Sequence, residues 1–323
     1  MIKFAKIEDA EREVVKWQGD PSSIQHLGDR GNSVFSFLNS AGQPQILRFT
    51  DPDFRSYDEV AAELGFVSRL KAADVSVARA LPDRDGQLLS RSRCSSGELI
   101  CSSIEFAQGL EVQIGSSHWN VEFFHEWGRN LAQIHRASSL FNSEGPPEKR
   151  WQWDEEILIA RAEHLIPVDD TKSREEFREV LDRCRSLPRE TSNFGLIHAD
   201  HAPQNFRYEP NQSRVTAFDF GNCCYHWFLS DLAISLSTIR RKENREVIKD
   251  GILDGYSTVR TLPNGYEDLL DLFIRLRVVY VYLSRLHLWA VDRTSEQQAE
   301  LVALKSLVHA KAGWNLPDQA RET

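Results

Sequence analysis

From Trp119 onward the chain reads with a helical period, and that period is broken once, between Gly195 and Phe220. Two apolar strand-like runs, residues 195–198 and 215–219, stand there on either side of a polar loop. The flanking segments 121–136, 155–165, 174–184, 229–239, 247–256 and 266–291 space their apolar residues as helices do. The first hundred residues read differently. A short helix over 8–17 precedes strands at 24–27 and 34–38, which a glycine turn, residues 28–33, separates, and a third strand covers 45–50. Val60, Leu64, Val67 and Leu70 then fall at helical spacing within Tyr57–Ala72, and strands return at 75–81, 88–90 and 100–106. The pattern predicts an α+β chain: a small antiparallel-sheet domain with one inserted helix over 1–107, then a larger, mainly helical domain over 108–323.

At 323 residues the chain is long enough for two cores. Its formal charge of −9 argues against nucleic acid as a partner, because phosphate binding draws on an excess of Lys and Arg. No apolar run reaches the 18 or so residues of a membrane span, so no membrane partner is expected. Acidic residues Glu8 and Asp9 fall where a secretory apolar core would run. Five cysteines, an odd number, suit reduced thiols and a cytoplasmic location better than a disulfide framework.

The chemistry concentrates in His198-Ala-Asp200-His-Ala-Pro-Gln-Asn205 and, fourteen residues on, Asp219-Phe220-Gly221. If both strands deliver their ends to one edge of a small sheet, Asp200, Asn205 and Asp219 converge. That trio meets the needs of phosphoryl transfer from ATP: one carboxylate takes the acceptor's hydroxyl proton, while an amide oxygen and a second carboxylate hold Mg²⁺. Oxygen donors of this kind suit Mg²⁺.

These residues resemble the His-x-Asp-x-x-x-x-Asn and Asp-x-acid motifs of the aminoglycoside phosphotransferase, choline kinase and homoserine kinase superfamily, whose two-lobed fold is protein-kinase-like. The resemblance implies Asp200 as the catalytic residue and Asn205 and Asp219 as metal ligands. It further implies a phosphate-covering loop at Gly28, Gly31, Asn32 and Ser33, a phosphate-contacting cation at Arg48 and its ion-pair partner at Glu63. Residues 104–109, with Glu105 and Ala107, resemble the hinge that binds adenine through backbone groups. His198 takes the place of a loop-holding histidine, and Asp231 that of an acid supporting the catalytic loop. The chain departs from the pattern twice: Arg48 stands where protein kinases carry lysine, and Gly221 stands where many relatives carry a second acid.

Zinc chemistry fails on ligand count. His198-x-Asp200-His201 lacks the upstream histidine of a binuclear hydrolase, since that position is Leu196, and the zinc-protease-like His125-Glu126 is followed by Arg129 where the second histidine belongs. Twelve positions separate Asp219 from Asp231, too few for a peptide-binding activation segment. The expected partner is therefore a small-molecule hydroxyl acceptor, an amino alcohol or amino sugar. Its pocket is expected among Trp151, Trp153, Asp154, Glu155, Tyr225, His226, Trp227, Tyr280, Tyr282 and Trp289. Ring faces and carboxylates there would receive an ammonium group. A bacterial serine/threonine protein kinase and an inactive nucleotide-binding module are the alternatives. The sequence does not address oligomeric state.

Overall fold

Phe35 and Phe37 alternate with polar or smaller neighbours, as do Leu47 and Phe49 beside them, so each strand offers one apolar face with period two. In the computed structural model, which describes residues 2–29, 31–141 and 149–316, this alternation builds an antiparallel sheet. In chain order the first elements are α1 (Ile7–Glu13), β1 (Gln25–Asp29), β2 (Asn32–Leu38), β3 (Pro44–Thr50), α2 (Tyr57–Ala72), β4 (Ala80–Leu81), β5 (Ser90–Cys94) and β6 (Gly97–Glu105). There follow α3 (Val121–Phe141), two one-turn helices α4 (Ile157–Ala160) and α5 (Ala162–Leu165), α6 (Thr171–Arg185), β7 (Phe194–Ile197), β8 (Phe206–Glu209), β9 (Arg214–Ala217) and β10 (Cys224–Trp227). Helices α7 (Phe228–Ser237), α8 (Arg245–Ser257), α9 (Tyr266–Leu288) and α10 (Ser295–His309) come last among the described elements.

The fold separates into two units, Met1–Val112 with Gly145–Arg150 and Gln204–Gly221, and Gln113–Glu144 with Trp151–Pro203 and Asn222–Thr323. The sequence reading instead placed everything beyond residue 107 in the second domain. The reason for the difference is β-pairing: Val77 bridges Ala217, and Leu110 exchanges backbone hydrogen bonds with Tyr208, which ties the β8–β9 hairpin to the first unit.

In the first unit the strands run β1-β2-β3-β6-β4, with β5 on β6. Ala10 and Val14 at the N-terminal helix pack with Phe35, Phe37, Leu47, Phe49 and Leu99 on one sheet face. Val60 and Leu64 of α2 pack with Ala80, Leu89 and Ile100 in a separate cluster. Helix α2 starts where expected because Ser56 and Glu59 form a capping box.

Two expectations need correction. Of the strand expected over 75–81, only Ala80–Leu81 pairs within the main sheet. The runs 195–198 and 215–219 do not share a sheet: β7 pairs β10, and β8 pairs β9. Each found a partner of its own, in strands β10 and β8, which were hidden between motifs.

In the second unit α3 and α8 meet backbone to backbone. A Cβ on Gly128 would lie 1.8 Å from the Ile252 carbonyl oxygen, and one on Gly255 would lie 1.8 Å from that of His125. Because neither obstacle is a flexible side chain, Gly255→Ala must push the helices apart. Overpacking of this kind costs typically about 1–3 kcal/mol, so Gly255→Ala is expected to lower the melting temperature by several degrees. A calorimetric scan within 1 °C of wild type would contradict this. Helices α6 and α9 are joined by Arg275, whose guanidinium donates to both Glu176 oxygens at 2.8 and 2.7 Å.

Candidate functional site

The loop after β7 is built around one buried carboxylate. Asp231 enters on the first turn of α7 and is wholly buried; its Oδ2 accepts from the His198 N–H at 2.7 Å and its Oδ1 from the Ala199 N–H at 2.8 Å. His135, from α3, lies 3.2 Å from Asp231 Oδ2 through Nε2 and 3.0 Å from the Tyr256 hydroxyl through Nδ1. Burial alone pushes the Asp231 carboxyl up, but the hydrogen bond from His135 and the nearby histidines hold it below the usual carboxylate range. Burial also lowers the His135 pKa. Neutral imidazole donating to an ionised Asp231 is therefore the resting arrangement.

These bonds hold Ala199 at φ +63°, a left-handed conformation that costs a non-glycine residue on the order of 1–2 kcal/mol. The turn sets the direction of the next residue, Asp200, whose N–H donates to His198 Nδ1 at 3.2 Å. His201 is fully buried below. It accepts from the Trp127 indole N–H through Nδ1 at 3.1 Å and reaches Asn130 Oδ1 through Nε2 at 3.0 Å, so both ring nitrogens are occupied. Burial drives its pKa well below normal, and it remains neutral.

Asp200 lines a cavity of about 210 Å³. Its Oδ1 lies 3.3 Å from Arg277 Nη2, and the two side chains are 25% and 21% exposed. Arg277 is two residues beyond Arg275 on α9. Two residues turn a helix by about 200°, so one arginine faces α6 and the other the cavity. Phe273, Leu276, Arg277 and Tyr280 line the cavity at spacings i, i+3, i+4 and i+7, a single helical face. Of the aromatics and acids expected at an acceptor pocket, Trp151, Trp153, His226 and Tyr280 line it. The others serve elsewhere: Asp154 pairs with Arg185, Glu155 accepts from the Gln152 N–H, Tyr282 donates to Asp170, and Trp289 packs under Arg285. Tyr225 and Trp227 are buried in β10. Arg277 and Glu156, both cavity residues, went unread in the sequence. The i, i+3, i+4, i+7 pattern on α9 was the available signal for Arg277.

In the first unit, Asn205 and Asp219 flank the open end of the β8–β9 hairpin. The Phe218 N–H donates to the Asn205 carbonyl at 2.9 Å, one step beyond the Phe206–Ala217 pair. Asp219 follows at φ +62°, a second non-glycine residue in the left-handed region. Phe220 is buried and meets Phe66 of α2 edge-on at 5.9 Å. Arg150 fastens the segment from the other side, donating to the Gly221 carbonyl at 2.6 Å and to the Glu59 carbonyl at 2.9 Å. One turn before Phe66, Glu63 takes both terminal nitrogens of Arg48, at 2.6 and 3.1 Å, with both side chains buried. Helix α2 therefore links Arg48 to the Asp219 segment.

The glycine segment is the end of the β1–β2 hairpin. The register shifts between His26 and Gly28, and Gly31 takes φ +77°. Asn32 Oδ1 accepts from the Thr50 hydroxyl at 2.8 Å, and Ser33 Oγ, buried, accepts from the Ala5 N–H at 2.9 Å. Both side chains thus have partners within the unit. Glu105 ends β6 with its carboxylate on Arg79 Nε at 2.6 Å, and Ala107 is half-buried beyond it. Among the described residues, no group of three or more His, Cys, Asp or Glu could hold a metal. Asn205 carries an amide oxygen and Asp219 a carboxylate, donors of the type that hard divalent cations take.

No helix among the described residues is long and apolar enough to cross a membrane, and the five cysteines are buried and joined by no disulfide. Among curated proteins the chain is similar to amicoumacin kinase of Bacillus subtilis (strain 168), 27% identical over 290 residues that cover 87% of this chain and 84% of that one. Among solved structures it is similar to amicoumacin kinase hAmiN in complex with AMP-PNP, Ca²⁺ and Ami, with a TM-score of 0.86 and 24% identity over 97% of this chain and 96% of that one. It is similar also to a microcompartment-associated aminopropanol kinase, with a TM-score of 0.76 and 19% identity over 94% and 96%. The α+β architecture, an antiparallel sheet with many helices, is the one these kinases share. The model of the phosphotransferase enzyme family matches residues 23–269, most of the chain, and the chain belongs to that family.

Proposed function

We propose that this kinase transfers the γ-phosphoryl group of ATP, with Mg²⁺, to a hydroxyl of a small amino alcohol or amino sugar in the cytoplasm. The observation that carries the reading is Asp200 on the wall of a compact, aromatic-lined cavity, at the tip of a loop held by Asp231. The acceptor oxygen attacks the γ-phosphorus, the bond to the β–γ bridging oxygen breaks, ADP leaves, and the hydroxyl proton passes to the Asp200 carboxylate. Asn205 and Asp219 would hold Mg²⁺, which neutralises charge developing on the phosphates when bound. Arg48, oriented by Glu63, is the phosphate-contacting cation. Gly28, Gly31, Asn32 and Ser33 form the hairpin over the phosphates, and Glu105 and Ala107 offer backbone groups to adenine. Relatives named for amicoumacin and for aminopropanol support a small-molecule acceptor.

The test is a screen of amino alcohols, aminoglycosides, sugars and casein for transfer of labelled γ-phosphate, with and without EDTA. Label is expected on at least one small amine-bearing acceptor, lost with EDTA; label on casein alone would establish the protein-kinase alternative instead. Asp219→Ala is expected to weaken Mg-dependent ATP binding at least about tenfold, the scale of one lost charged contact, while Asp200→Asn leaves it near wild type. Equal Mg dependence in wild type and Asp219→Ala would remove Asp219 from the metal site.

A further inference from the structure

The cavity beside Asp200 contains a hydroxyl whose hydrogen-bond direction is fixed from behind. His226 and Ser230 both line it, and both are more than nine-tenths buried. The Trp227 backbone N–H donates to His226 Nδ1 at 2.8 Å, so Nδ1 is an acceptor and carries no proton. The ring proton therefore sits on Nε2, which lies 3.2 Å from Ser230 Oγ. Burial keeps the imidazole neutral, its pKa lowered to about 3, so this tautomer persists at any working pH. Ser230 Oγ must then accept from His226, and its own proton has no acceptor among the described residues. A buried hydroxyl left with an unused donor is costly unless a ligand meets it.

We propose that Ser230, with its donor direction set by His226, is a specificity-determining residue that selects acceptors carrying a second oxygen besides the hydroxyl to be phosphorylated. The ligand class is a compact amino alcohol bearing a further hydroxyl, ether, carbonyl or carboxylate oxygen. Size agrees: a protein cavity of about 150 Å³ accommodates benzene, so about 210 Å³ suits a group of comparable or slightly larger size. The inference rests on the cavity being the acceptor site, as proposed above.

A matched pair of probes isolates the effect, since 3-amino-1,2-propanediol differs from 1-amino-2-propanol by one hydroxyl. Calorimetric titration of the full chain without nucleotide is expected to show the diol binding about 3- to 10-fold more tightly, the range of one neutral hydrogen bond. The ratio is expected to fall to near 1 in Ser230→Ala and to recover in Ser230→Thr, which restores the hydroxyl. A wild-type ratio of 1, no binding of either probe, or a ratio unchanged in Ser230→Ala would overturn the proposal. Because binding is read without ATP, the two readings separate: a Ser230-dependent preference with no phosphate transfer to any small acceptor sinks the proposed phosphoryl transfer to amino alcohols or amino sugars, and leaves Ser230 selecting the cavity's ligand. Transfer without the preference sinks this one alone.

Discussion

Asp200→Asn is expected to lower kcat by about 10²–10⁴ on an established acceptor, the usual contribution of a positioned general base. Asparagine keeps the shape of the side chain but cannot take a proton. On the cavity wall it alters the Arg277 contact, a partly exposed pair at 3.3 Å. Pairs of that kind contribute typically about 0.2–1 kcal/mol, so the melting temperature should move by little. A large fall in kcat with nearly constant thermal stability and nearly constant ATP affinity is the expected combination. Steady-state kinetics and a thermal scan on the same preparation supply all three readings. Unchanged turnover would remove Asp200 from the chemistry, whereas a fall in stability as large as the fall in rate would make it a loop-holding residue.

How much of this was legible in the sequence depended on whether the determining interactions were local. Tyr57–Ala72 could be read to the residue because its period and its Ser56–Glu59 capping box both lie within the segment. Strand β10 escaped because all four of its residues are buried, which erases the alternation that marks a half-exposed strand. Its pairing with β7 lies some thirty positions back, and that long-range pairing, not any local pattern, separates β7 from β9. Helix α10 was missed although its signals were present: Leu301, Leu304, Leu307 and Val308 recur at helical spacing and Thr294 with Gln297 forms a capping box.

The site shows the same division. The spacing of Asp200 and Asn205 and the following Asp219 stood out because one short segment carries them all. Part of the support of that segment, Asp231 and His198, was read with it, but Trp127, Asn130 and His135 were not placed there because they arrive from α3, more than sixty positions upstream. Arg277 drew no reading in the sequence, and the turn of α9 shows that it and Arg275 face opposite ways. Of the expected pocket aromatics, Tyr225, Trp227 and Tyr282 are core residues for the reason that large rings usually are: their buried area stabilises the fold wherever they land.

The largest effect on stability is expected at Asp231. Its carboxylate receives three donors, the N–H groups of His198 and Ala199 and the His135 ring, in a fully buried setting. Asp231→Ala leaves all three without it, at about 1–3 kcal/mol for each buried group that stays unsatisfied, which amounts to at least about 3 kcal/mol. For a unit of this size that corresponds to a fall in melting temperature of about 10 °C. Asp231→Asn should fall between, because an amide can accept from one N–H but meets another donor with its own NH₂. The folded-state pKa of Asp231 is depressed, so its share of stability is present above the ordinary carboxylate value of 3.8 and is lost as pH drops through the lower, folded value. Wild type and Asp231→Asn should therefore differ most at neutral pH and converge in strong acid. The kinetic consequence follows from Ala199: without its anchor the residue relaxes out of the left-handed region, and Asp200 loses its fixed direction. Loss of kcat is expected to accompany the loss of stability in Asp231→Ala, in contrast to Asp200→Asn, where kcat falls alone. A melting temperature within 2 °C of wild type for Asp231→Ala would mean that the loop holds its shape without this carboxylate.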